Sequence, residues 1–161
     1  MYKFVAAVMA FFTLVVIPSQ LLAQDQDPVE QEIRAVINAT YAYAAENLED
    51  RPGGYSAEGA LEFWSSGGLV QNVPPDSPVQ TYESFNLVPK YIWVVSLAED
   101  VAMAQFYVEG SFQPTGQPPV DHYFTRATEI FVRENGEWMI RGSHWSPVVG
   151  GRGTPDTAVI R

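Results

Sequence analysis

Glu129 and His144 are the two side chains of this sequence best suited to moving a proton, because a hairpin closed at Asn135-Gly136 brings them onto one face of paired strands. Asn-Gly is a strong hairpin signal, since both central positions of a type I′ turn need positive φ. With those two residues in the loop, Arg133 opposes Trp138, Phe131 opposes Ile140, Glu129 opposes Gly142 and Ala127 opposes His144. Glu129 and His144 are then diagonal neighbours, about 7 Å apart between backbones. A carboxylate beside an imidazole raises the histidine's pKa and depresses its own. In an enclosed site such a pair transfers a proton; it also serves as a ligand contact, or as two polar groups satisfying one another within a sheet.

Other chemistries find less support. His122 and His144 are the only histidines, they fall on opposite faces in this register, and there is no cysteine, so no metal site is expected. No nucleophile-elbow pattern surrounds a serine. The glycines after Gly150 lack a Gly-Lys-Ser/Thr and a following helix, which excludes a phosphate loop. No cofactor is expected. A formal net charge of −10 repels polyanions, so nucleic acid and anionic membrane surfaces are poor partners.

Residues 1–23 read as a secretory signal peptide: Lys3, an apolar run from Phe4 to Ile17, Pro18, and a Leu21-Leu22-Ala23 end. The run is short for a bilayer span. Cleavage near Ala23 is expected to leave a secreted or periplasmic chain with no stable membrane insertion. What remains suits one domain, residues 28–149, with a flexible tail over 150–161.

The elements that must position Glu129 and His144 follow from periodicity. Ile33, Val36, Ile37, Thr40, Tyr41, Ala44 and Leu48 share one face of an amphipathic helix of about five turns, ended by Arg51-Pro52-Gly53-Gly54. A second, shorter helix is expected from Ser56 through Phe63-Trp64 to Gly67-Gly68. Leu69 to Val73 reads as a short strand, Pro74 to Pro78 as a loop, and Gln80 to Pro89 as loop. Tyr91 to Leu97 and Val101 to Phe112 alternate with period two about a Glu99-Asp100 turn, which pairs Trp93 with Phe106, Val95 with Ala104 and Leu97 with Ala102 on a core face. The result is an α+β domain.

The closing hairpin has two distinct faces. Tyr123, Thr125, Ala127, Glu129, Phe131, Trp138, Ile140, His144 and Ser146 grade from apolar near the turn to polar away from it, as a core grades into a pocket. The opposite face carries Phe124, Arg126, Ile130, Met139, Arg141 and Trp145, more apolar surface than solvent requires, and is expected to be a homodimer interface.

Helical segments followed by this sheet, ending in T-E-I-F-V-R-E-N-G-E-W-M-I-R-G-S-H-W-S, resemble the nuclear transport factor 2-like superfamily in its SnoaL-like branch, over about Val29 to Val149. Asn135-Gly136, Trp138, Ile140, His144 and Ser146 match the family's terminal hairpin. The resemblance implies a cone-shaped, strongly twisted antiparallel sheet wrapped around the first helix (a cystatin-like roll), a pocket between them, and a dimer through the sheet's outer face. Enzymatic members place an acidic base deep in the cone; here the helix offers Tyr41 and Asn47, which leaves Glu129 as its replacement. Tyr41, Trp64, Trp93 and Phe106, with Tyr123 and Thr125 at the rim, are the expected pocket lining. Binding of a small hydrophobic molecule is the favoured function. The alternatives are cofactor-free isomerisation, cyclisation or dehydration with Glu129 as base and His144 or Tyr123 at the oxyanion, and a structural dimer with a filled cone.

Overall fold

The computed structural model describes residues 27–148 together with Gly151 and Gly153. The expected leader and nearly all of the expected tail lie outside the described residues.

Helix α1 spans Pro28–Asn47. Asp27 caps it by accepting a hydrogen bond from the Val29 N–H at 3.0 Å, and Pro28 occupies the first turn, where its missing N–H costs nothing. Leu48 ends it in the left-handed conformation, its N–H donating to the Ala44 carbonyl. Ile33, Ile37 and Ala44 form the buried stripe, flanked by Val36 and Tyr41. Burying each isoleucine stabilises by about 1.5–3 kcal/mol.

Six strands follow: β1 (Ala60–Phe63), β2 (Gln71–Val73), β3 (Tyr82–Ala98), β4 (Val101–Pro114), β5 (Val120–Glu134) and β6 (Glu137–Pro147). They form one sheet in the order β2-β1-β6-β5-β4-β3. Every pairing is antiparallel except β1 with β6, which is parallel. The core lies between α1 and the inner face of the long strands, around Ile33, Phe106, Val108 and Phe131.

Three differences from the sequence reading have physical causes. The segment expected as a second helix contains β1 instead. Its buried residues alternate, with Ala60 and Glu62 inward and Leu61 and Phe63 outward, and pairing with β6 decides in favour of the strand. The stretch from Tyr82 to Pro89 is the first half of β3 and not a loop. A bulge between Tyr82 and Ser84 breaks its alternation, and Pro89 is tolerated because β3 is an edge strand. The β3–β4 register is also slipped by one. The turn at Glu99-Asp100 forms between the paired Ala98 and Val101, but Leu97 is an extra residue, so Ser96 opposes Ala102 and Trp93 opposes Gln105. Trp93, Val95 and Leu97 therefore face outward and are exposed. A third bulge, at Tyr91 (φ 52), restores the parity, so that Phe85 and Leu87 on one side and Ile92 on the other all point inward.

The β5–β6 hairpin turns at Asn135-Gly136 with φ of 53° and 86°, the positive values that a type I′ turn demands. Arg133 opposes Trp138 and Phe131 opposes Ile140 as the turn dictates. Arg141 is then an extra residue: Ile130 opposes Gly142 and Glu129 opposes Ser143. Backbone bonds from Ser56 N–H to Ile140 O and from Ile140 N–H to Gly54 O hold the preceding loop beside this bulge. The Arg141 guanidinium reaches across to the Gly59 carbonyl and Glu58.

Candidate active site

The bulge at Arg141 reassigns every side chain beyond it. His144 opposes Thr128, lies on the outer face against Phe63 and is exposed, so the expected Glu129–His144 pair is not formed. Trp145, expected at a dimer interface, points inward and packs edge-on to Phe106 at 5.7 Å. Ser143 takes the place expected for His144.

A cavity of about 1140 Å³ opens between α1, the loop from Asp50 to Tyr55, and the inner face of the sheet. Its walls are apolar over Val36, Phe85, Leu87, Phe112, Phe131 and Ile140. Tyr41, Tyr123 and Trp64 line it as well. Three other residues expected to line it do not. Trp93 is 55 % exposed on the outer face, Phe106 is core packed against Tyr41 and Trp145, and Thr125 is fully buried with its hydroxyl unpaired among the described residues.

Two carboxyls reach this cavity from one row of the sheet. Glu62 on β1 and Glu129 on β5 both oppose Ser143 on β6, which stands between them. Strand spacing puts their backbones about 10 Å apart. Both are buried, at 4 % and 7 % exposure. Glu62 accepts a hydrogen bond from the Ser143 hydroxyl at 2.9 Å and another from Tyr55, and Ser143 accepts one from the Trp145 indole N–H at 3.2 Å. Burial raises the Glu62 pKa, and these hydrogen bonds hold it back. No side-chain hydrogen bond to Glu129 is formed among the described residues. Burial first, and the neighbouring Glu62 charge second, push its pKa up to about 8, so it is largely neutral at pH 7.

Further polar groups gather at the cavity. The Tyr82 hydroxyl donates to Asp50 at 2.6 Å; burial raises the pKa of both. Burial likewise raises the phenols of Tyr41 and Tyr55, keeping them neutral donors. The Trp64 indole N–H is buried and has no partner among the described residues. No group of three His, Cys, Asp or Glu side chains that could hold a metal ion occurs among the described residues. Glu62, Ser143, Tyr55, Asp50 and Tyr82 escape the sequence reading. The alternation Ala60-Leu61-Glu62-Phe63 is the signal that could have exposed Glu62, had the segment been read with period two.

No protein-family model matches the sequence, and no curated protein matches it. Solved structures do. A proposed aromatic ring hydroxylase from Novosphingobium aromaticivorans superposes with a TM-score of 0.60 at 18% identity, covering 81% of this chain and 98% of that one. A proposed scytalone dehydratase from the same organism gives 0.57 at 11% identity, over 81% and 88% of the two chains. An NTF2-like protein of unknown function from Prochlorococcus marinus gives 0.52 at 17% identity, over 81% and 97%. The chain has the nuclear transport factor 2-like fold, with its sheet left open rather than closed into a barrel.

Proposed function

We propose that this nuclear transport factor 2-like cone binds a small, largely apolar molecule bearing a hydrogen-bond acceptor, and that neutral Glu129 donates the bond that orients it. The observation that carries this reading is a buried carboxyl, without a hydrogen-bonding side chain among the described residues, on the wall of a cavity of about 1140 Å³. A buried polar group without a partner costs about 1–3 kcal/mol, which a bound acceptor would offset. The apolar walls supply area and the few convergent polar groups supply orientation, the usual division of labour in small-molecule pockets. A cavity of this size speaks against a filled cone.

Calorimetry with benzylacetone, an apolar ketone, tests the reading. Saturable binding is expected at pH 6, about tenfold weaker in Glu129→Leu, a loss of about 1.4 kcal/mol. It should also weaken in the wild type above pH 9, where Glu129 is ionised and cannot donate. Asp50, Glu62 and Tyr82 also face the cavity, so the pH arm is read against Glu129→Leu, which should lack it. Absence of binding, or equal binding by the variant, would overturn the proposal.

A second reading concerns association. Tyr91, Trp93, Tyr107 and Phe124 form a continuous row of rings on the outer face, with successive centroids 6.1 Å apart, above Arg126 and Thr128. We propose that this row, with Ile130 and Met139, is covered by a second copy of the chain. Of the residues expected there, Trp145 faces inward and Arg141 is engaged with Gly59 and Glu58, and neither is part of the proposed interface. We further propose export directed by the leader, with cleavage near Ala23. Mass spectrometry of the exported chain tests that directly: an intact Met1 on exported protein would contradict it. No helix among the described residues is long and apolar enough to cross a membrane.

A further inference from the structure

We infer that the molecule this cone takes carries a basic nitrogen: an organic ammonium group docks against Glu62, with Asp50 beside it, while its apolar body lies along the cavity walls. The inference rests on the reading of the cavity as a ligand site and adds to it the charge of the ligand and the group that recognises it.

The charge balance of the cavity is the first argument. Asp50, Glu62 and Glu129 all line it. The Asp50 charge acts on Glu62, and the Glu62 charge acts on Glu129. Charges buried in proteins are paired as a rule. Here no cation is among the groups that shift any of these carboxyls. Two arginines among the described residues reach the cavity wall, and both are occupied elsewhere or out in solvent. Arg133 is held by Glu32 and stacks on the Trp138 ring at 4.3 Å, and Arg51 is exposed. The acids are left for a cation brought from outside.

Glu129 gives a separate sign that the cavity takes a ligand. It is more than nine-tenths buried on the cavity wall and has no hydrogen-bonding side chain among the described residues. Hydrogen bonding sets Glu62 apart from it. The Ser143 hydroxyl, at 2.9 Å, and the Tyr55 hydroxyl both donate to Glu62 and favour its anion. The Tyr55 phenol is itself shifted by Glu62, Asp50 and Glu129, so the carboxyls gather about one ring. Glu62 is thus the acid prepared to meet a positive charge, and neutral Glu129 is left for an acceptor on the same molecule.

An organic cation fits this site better than a metal ion. His, Cys, Asp and Glu side chains do not come together in a group of three that could hold a metal among the described residues. Tyr55, Tyr82 and Trp64 line the same cavity, and aromatic rings attract a cation that has left water. The carbon body meets apolar walls at Phe85, Leu87 and Phe131. A formal net charge of −10 draws cations toward the chain. The ligand class is therefore an apolar amine that also bears a carbonyl or a similar acceptor.

The test is calorimetry at pH 7 with 4-phenylbutan-2-amine, which is protonated there, and 4-phenylbutan-2-ol, which matches it in shape and carries no charge. The wild type should bind the amine about tenfold more tightly than the alcohol. Glu62→Gln should weaken the amine by about tenfold and benzylacetone, whose acceptor goes to Glu129, by less than about threefold. Equal affinities for amine and alcohol in the wild type overturn the inference, and that comparison stands even where Glu62→Gln does not fold. A folded Glu62→Gln that keeps the preference for the amine overturns it as well. With benzylacetone still bound, either result leaves the pocket reading standing. A preference for the amine that is lost with Glu62, while benzylacetone fails to bind, upholds the ammonium site and overturns the reading of Glu129 as donor. Failure of all these probes to bind overturns both.

Discussion

Glu129 keeps the inward placement that strand alternation predicts, but in different company. Its strand alternation points it inward, and it lies buried on the cavity wall. Its neighbours there are Glu62 and Ser143 rather than an imidazole. A carboxyl whose pKa is raised from 4.5 to about 8 by folding binds its proton more tightly in the folded state. Its contribution to stability is therefore fully present below about pH 4.5 and is lost as pH rises through 8. Glu129→Gln cannot ionise, so its stability should stay flatter over that window. Relative to the wild type it should gain a few kcal/mol between pH 5 and pH 9 in chemical denaturation. Parallel pH profiles for the two proteins would remove the raised pKa from the account. His144 gives the complementary expectation. It lies outside against Phe63, so His144→Ala should change benzylacetone affinity by less than twofold. A tenfold loss would put the imidazole back in the site.

At the scale of elements, single bulges decide which side chains meet. The Asn135-Gly136 turn was legible because its φ demands are local, and so was the register from Arg133 to Ile140. Arg141 was not legible as a bulge. Its cause lies some eighty residues away, where the Arg141 guanidinium meets the Gly59 carbonyl and Glu58 and the backbone of Gly54 and Ser56 bonds Ile140. The same holds for β1, whose strand character depends on pairing with β6, and for Leu97, whose insertion turned Trp93 outward. Periodicity thus exposed α1, the second half of β3, β4, the β5–β6 hairpin and Glu129, while Glu62 and Ser143 depended on contacts distant in sequence.

Gly59 positions β1. It has a φ of 74°, and a Cβ there would lie 2.4 Å from the Val73 carbonyl oxygen, which is backbone and cannot turn aside. Gly59→Ala should destabilise by about 2 kcal/mol or more in chemical denaturation. An alanine variant of wild-type stability would show that β1 is not held there.

For the whole molecule, the open sheet leaves one face around a cavity and the other covered with rings. Tyr91, Trp93, Val95 and Leu97 are exposed along an edge strand, a surface that monomers rarely leave uncovered. Trp93→Asp and Phe124→Asp should each shift the chain to monomer in sedimentation velocity with the cavity intact, so benzylacetone still binds. A dimer that survives both substitutions would exclude this face. The inner face carries the central claim, that a neutral Glu129, without a partner among the described residues, waits on the cavity wall for an acceptor. Its most direct test is a ¹³C-carboxyl NMR titration of Glu129, with and without benzylacetone. A midpoint near 8 in the free protein, moved higher by the ketone, is the expected result. A midpoint in the ordinary carboxylate range, or one that the ketone leaves in place, would contradict it.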